Sequence, residues 1–95
     1  MKKVISTTKA PAAIGPYSQA IEANGFVFAS GQIPVDPETG EIPEGIEAQA
    51  EQVMKNMKNL LEAAGTSIDQ VVKTSVFIKN MDDFSTINGI YAKYF

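Results

Sequence analysis

The dipeptide Asn24-Gly25 sits between two runs of strand-forming residues, "AIEA" and "FVFA". A two-residue connection between antiparallel strands favours a type I′ turn, which needs positive φ at both central positions. Asn and Gly tolerate that backbone better than other residues. The sequence therefore predicts a hairpin in which Ser18–Ala23 pairs with Phe26–Ser30. Successive side chains on a strand point to opposite faces. Phe26, Phe28 and Ser30 then share one face, and Val27, Ala29 and Gly31 the other. Both faces carry apolar groups, so both call for cover.

The flanking segments add one strand, two helices and a further strand. "KKVIS" reads as a short strand with Val4 and Ile5 as its apolar pair. "TTKAPAAIGPYS" is a loop in which Gly15-Pro16 makes a stiff, non-helical lead into Tyr17, because Pro holds its own φ and pushes the preceding residue extended. "IPVDPETGEIPEG" is a loop with a turn over residues 36–40, and its oxygen side chains lack the spacing of a calcium loop. Ile46, Ala50, Val53, Met54, Met57, Leu60, Leu61 and Ala64 then recur every three or four residues. That is one apolar stripe of an amphipathic helix, with Gly65 as its stop. Glu44, Glu47 and Glu51 near its start suit the helix dipole.

"DQVVKTSVFIKN" alternates as a strand should. Asn80 or Asp82 can cap a last helix, on which Phe84, Ile87, Asn88, Tyr91 and Tyr94 or Phe95 are neighbours. The order is strand, hairpin, helix, strand, helix. It predicts one α+β domain over residues 1–95, with two helices on one face of a mixed sheet. The strand after the first helix would return to the sheet by a right-handed crossover. The second sheet face would be left for another subunit.

Composition removes several kinds of chemistry. The chain has no Cys and no His, so thiolate ligands, imidazole ligands and the common nucleophile–base pairs are absent. All eight basic residues are Lys, and the net charge is −3. That is a poor match for nucleic acid or an anionic membrane. The first residues, "MKKVISTTKAPAA", have no apolar core of a signal peptide, and no run is long enough to span a bilayer. The expectation is a cytoplasmic protein.

One local feature is unusual. The strand "FVFAS" ends in Ser30-Gly31-Gln32, a small hydroxyl beside a bare backbone. A ligand can approach such a backbone closely, although a plain strand end explains the same residues.

The blocks "APAAIGPYSQAI", "FASGQIPVDPETGE", "VVKTSVFIKNMDDF" and "INGIYAKYF" closely resemble the RidA/YjgF family of reactive-intermediate deaminases, almost continuously from Ala10 to Phe95. The resemblance implies a chorismate-mutase-like fold and a homotrimer with sites in clefts between subunits. It implies metabolite damage control: hydrolysis of 2-aminoacrylate, 2-iminobutanoate and similar imines or enamines to 2-keto acids and ammonia. Pyridoxal-phosphate-dependent dehydratases would supply these substrates, and the resemblance implies a deaminase that itself uses no metal or organic cofactor. On the matching positions it implies substrate-binding roles for Tyr17, Ser30, Gly31 and Asn88, with Ser30 and Asn88 catalytic. In that reading Ser30 and the Gly31 N–H donate to a carboxylate or developing charge, while Tyr17 and Asn88 orient water or substrate.

The departure from the family pattern is at the C-terminal side. The pattern continues for about a quarter of its length, through two strands with a carboxylate-gripping arginine and a water-handling glutamate. The expectation is a domain truncated at its C-terminus, with those strands missing. No Arg is present to substitute, and Lys does not reproduce the bidentate geometry. Impaired deaminase activity is therefore expected. The alternatives are a non-catalytic subunit that binds small carboxylates or assembles, and, less favoured, a ribonuclease or translation inhibitor.

Overall fold

A computed structural model describes residues 2–15 and 17–95. Pro16, expected to stiffen the lead into Tyr17, lies outside the described residues, as does Met1. Strands β1 (Lys2–Ile5), β2 (Ala20–Ala23) and β3 (Phe26–Ala29) form an antiparallel sheet in that order. Helices α1 (Ile46–Ala63) and α2 (Phe84–Tyr94) follow, each adjoined by a short 3₁₀ turn, Ile68–Gln70 after α1 and Met81–Asp83 before α2.

The hairpin forms where the Asn-Gly pair predicts it. Asn24 has φ 53° and Gly25 φ 81°, and Ala23 pairs with Phe26 across the turn. The strands are shorter than predicted at their far ends, but the pairing goes one step further: the Ser30 N–H donates to the Gln19 carbonyl at 3.0 Å.

Register decides what each face meets. Ile5, Ala20 and Ala29 are aligned across the sheet, and so are Val4, Ile21 and Phe28. Ile5 and Ala20 of the first row are buried, while Ala29 at its end stays exposed. Ile5, Ala10, Ala20 and Leu60 form a buried cluster against which Val27 and Ala64 pack. Thus α1 lies over this face through Leu60. The other face presents Val4, Phe26 and Phe28 to solvent, with Ile21 half-buried among them. The two phenyl rings stand 6.4 Å apart.

Helix α1 buries the predicted stripe. Met54, Leu60 and Leu61 are buried, and the remaining stripe residues are half-buried. Its end is a Schellman motif. The Gly65 N–H donates to Glu62 O and the Thr66 N–H to Leu61 O, both at 3.0 Å, with Gly65 at φ 83°. Asn80 caps the turn that enters α2, accepting from the Asp82 N–H at 3.0 Å.

Two expectations need correction. The buried residue of α2 is Ile90, which the predicted face omitted. The helix turns Ile90 inward while Phe84 and Asn88 stay exposed. The predicted strand over residues 69–80 does not join the sheet. Its first two residues belong to the 3₁₀ turn at Ile68–Gln70, and no described strand pairs with the rest. A strand is held by ladder bonds to a neighbour, and alternation alone does not provide one. The described sheet is consequently antiparallel rather than mixed.

Candidate functional site

The strand end at Ser30–Gly31 is built from behind by Gln19. This glutamine is buried at the start of β2. Its Nε2 lies within hydrogen-bonding distance of three carbonyls, Thr7 O at 3.1 Å, Ala10 O at 3.3 Å and Pro11 O at 2.8 Å. Its Oε1 accepts from the Thr7 N–H at 2.7 Å. One side chain thereby holds the loop 7–11 against the sheet.

The main-chain carbonyl of Gln19 accepts twice from Ser30, from its N–H and from its Oγ, each at 3.0 Å. Both Ser30 donors are therefore engaged inside the protein, and the hydroxyl retains only acceptor capacity. Gly31 follows, exposed, and a methyl group at its Cα would meet no atom within 4 Å. Its N–H makes no main-chain hydrogen bond among the described residues. Gln32 comes next. Its Oε1 is buried without a partner, an acceptor left over at the same strand end.

Tyr17 is exposed, and its hydroxyl accepts a long hydrogen bond, 3.3 Å, from the Ile14 N–H. Asn88 is also exposed, on α2. It borders a cavity of about 120 Å³ with Val76, Ile78, Phe84, Ile87 and Tyr91. Tyr17, Ser30 and Gly31 do not line this cavity. Ser30 and Gly31 are thus adjacent within one chain, and Asn88 sits in a separate apolar recess.

Sequence reasoning missed two amides. Gln19 is one. Asn56 is the other: fully buried on α1, it donates to Ile33 O at 3.0 Å and Val35 O at 2.9 Å, and accepts from Gln52 Nε2 at 2.9 Å. It ties the loop after Gly31 to the helix. Gln and Asn ordinarily read as surface residues, so their types gave no signal. Only Asn56's position between the apolar Val53 and Met57 placed it near the stripe.

Electrostatics is concentrated elsewhere. Glu51 of α1 is bridged by Lys93, and its Oε2 accepts from the Tyr94 hydroxyl at 2.7 Å. The hydrogen bonds from Lys93 and Tyr94 lower the Glu51 pKa. Burial, then the nearby carboxylate, raises that of Tyr94. This network joins α1 to α2. Among the described residues no group of three acidic, His or Cys residues could hold a metal ion.

A three-stranded antiparallel sheet covered on one face by a helix, with a second helix packed against the first, defines a small α+β protein. Residues 7–95 match the family described as Endoribonuclease L-PSP. The chain belongs to this family, the RidA/YjgF family that its motifs resemble. It is 50% identical over 95 residues to the 2-iminobutanoate/2-iminopropanoate deaminase of Salmonella typhimurium, covering 100% of this chain and 74% of that one. A Rid-family structure from Yersinia pestis superposes with a TM-score of 0.97 at 54% identity, over 100% of this chain and 76% of its own. Escherichia coli TdcF with bound serine superposes at 0.95 and 47% identity, over 98% and 73%. The fold is therefore the α+β fold of these relatives, of whose length the chain spans about three quarters.

Proposed function

We propose that the chain is a subunit of a deaminase that hydrolyses short 2-imino acids and their enamine tautomers to 2-keto acids and ammonia. The observation that carries this reading is the 50% identity, along the whole chain, to a 2-iminobutanoate/2-iminopropanoate deaminase. In the reaction, water adds to C2 of the iminium and the carbinolamine collapses with loss of ammonia. Iminium carboxylate plus water yields keto acid plus ammonium. The chemistry needs the carboxylate held, the C=N bond polarised and a water placed over the carbon.

The Gly31 N–H is the free donor for an anionic oxygen. Ser30, with both donors on Gln19 O, holds Gly31 in position and offers its lone pairs to water. Asn88 and Tyr17 would orient substrate or water. The recess bordered by Asn88 is separate from the Ser30–Gly31 end within one chain, so this reading joins them across a subunit boundary in a homotrimer. The exposed face carrying Val4, Phe26 and Phe28 supports such association. Dehydratases that release imines would supply the substrate.

These 95 residues contain no Arg. Without a bidentate grip on the carboxylate, turnover by these residues alone is expected to fall about two to four powers of ten below that of a full-length relative. The test is to generate 2-aminoacrylate or 2-iminobutanoate with a dehydratase and follow imine decay. Slow decay above background, lost in Gly31→Pro and Asn88→Ala, is the expected result. Decay at the uncatalysed rate beside an active relative sinks the enzymatic reading.

The same arginine-free composition favours a second reading, a non-catalytic subunit that binds small carboxylates or assembles. Titration with 2-ketobutyrate would then protect the Ser30–Gly31 backbone without turnover. The description Endoribonuclease L-PSP also suggests RNA cleavage, but net charge −3 and the lack of His and Arg oppose it. Failure to bind RNA at low salt would close that possibility.

A further inference from the structure

Two asparagines are followed by glycine, Asn24 and Asn88. Such a pair can cyclise: the glycine main-chain nitrogen attacks the asparagine side-chain carbonyl carbon, and no Cβ on the glycine stands in its way. The sequence makes the two pairs equivalent, and the fold separates them. Gly89 lies inside α2, so its N–H belongs to the helix ladder and its nitrogen is held there. Asn24-Gly25 is the hairpin turn, and both residues are exposed. Neither the Asn24 carbonyl nor the Gly25 N–H makes a main-chain hydrogen bond among the described residues. The peptide plane between them can therefore turn over while Ala23 stays paired with Phe26. Asn24 already has φ 53°. Flipping the plane keeps that φ and converts a type I′ turn into type II′, whose first central residue has ψ of about −120°. In an L-residue that ψ swings the following nitrogen to the Cβ side, within reach of the side-chain carbonyl.

We propose that Asn24 is a self-modification site, deamidating through a cyclic imide in the folded protein, while α2 shields Asn88. The Gly25 nitrogen gives its proton to hydroxide or water and bonds to Asn24 Cγ. The side-chain nitrogen leaves as ammonia, taking a proton from solvent. Water then opens the ring at either carbonyl. Breaking the bond to Cγ gives aspartate, and breaking the bond to the main-chain carbon gives isoaspartate. In sum, asparagine plus water yields an acid plus ammonia. The two products differ in consequence. Asp-Gly favours the same turn as Asn-Gly, so aspartate keeps the hairpin and adds a negative charge. Isoaspartate routes the main chain through Cβ and lengthens the turn by a carbon atom. Turn geometry fixes hairpin register, so the pairing of Ala23 with Phe26 loosens at the edge of the exposed phenyl face. The proposal is independent of the deaminase reading, because it concerns the chain's own amide and no substrate.

The experiment holds the 95-residue chain in mildly alkaline buffer, with and without urea. Mass spectrometry follows the proteolytic peptides that contain Asn24 and Asn88, and enzymatic methylation detects isoaspartate. In buffer Asn24 should convert about tenfold or more faster than Asn88, because the helix must open before the Gly89 nitrogen can attack. In urea the two rates should converge, since both segments are then free. Both rates should rise with pH, because the attacking nitrogen must lose its proton. Amide exchange at Phe26 should speed up in the isoaspartate form and stay unchanged in Asn24→Asp. Three results would overturn the proposal: equal rates at the two sites in buffer, a difference that persists in urea, or aspartate formed without isoaspartate. The second would assign the preference to flanking sequence, and the third to direct hydrolysis without the imide.

Discussion

The Tyr94 hydroxyl donates to Glu51 Oε2 at 2.7 Å, fastening the last residues of α2 to the first turns of α1. Lys93 occupies the other carboxylate oxygen. Two helices are thereby latched by one carboxylate that must be ionised to receive both donors.

The latch predicts a pH window. Glu51 titrates below its ordinary value of 4.5, because Lys93 and Tyr94 hydrogen-bond to the charged form. A depressed folded pKa contributes stability above the unfolded value and loses it as pH falls through the folded one. Tyr94 has the opposite sign: its pKa is raised above 10.0, so its proton stays in place up to that pH. Carboxyl NMR of Glu51 should show a midpoint below 4.5 that moves upward in Tyr94→Phe and in Lys93→Ala. An unmoved midpoint would show that the latch does not form in solution.

Asn56→Ala should be among the most damaging single changes. The amide is fully buried, and its removal strips the donors from Ile33 O and Val35 O. The expected cost is about 2–3 kcal/mol, read as a lower urea midpoint with the slope unchanged. Exchange in the loop 33–35 should speed up in parallel.

Gln19→Glu preserves shape and inverts chemistry. An oxygen would replace the Nε2 that now faces Thr7 O, Ala10 O and Pro11 O. Burying an acceptor against acceptors should cost about 3 kcal/mol or more, partly relieved by protonation at low pH. Thermal melts at neutral and acidic pH test this. A variant as stable as the parent at neutral pH would contradict the hydrogen-bond assignment.

Gly89→Ala should stabilise the chain. Gly89 lies inside α2, and a Cβ there meets nothing within 4 Å. The gain expected from helix propensity is about 0.5–1 kcal/mol, measured by chemical denaturation. A loss instead would mean that another surface approaches Gly89 in the assembled protein.

What the sequence alone determined was local. The turn at Asn24-Gly25, the stripe of α1 and its stop at Gly65 depend on φ preferences and on periodicity, which neighbouring residues specify between them. The family motifs likewise placed Ser30 and Gly31 together at one strand end. Tertiary structure decided the rest. Gln19 and Asn56 became buried anchors because distant main-chain carbonyls needed donors, and residue type carries no information about such partners. Ser30 turned its proton inward to Gln19 for the same reason. Residues 71–80 alternate as a strand, yet a strand becomes part of a sheet only when a neighbouring backbone accepts its hydrogen bonds. Local pattern can prepare that pairing, and only the assembled chain supplies it.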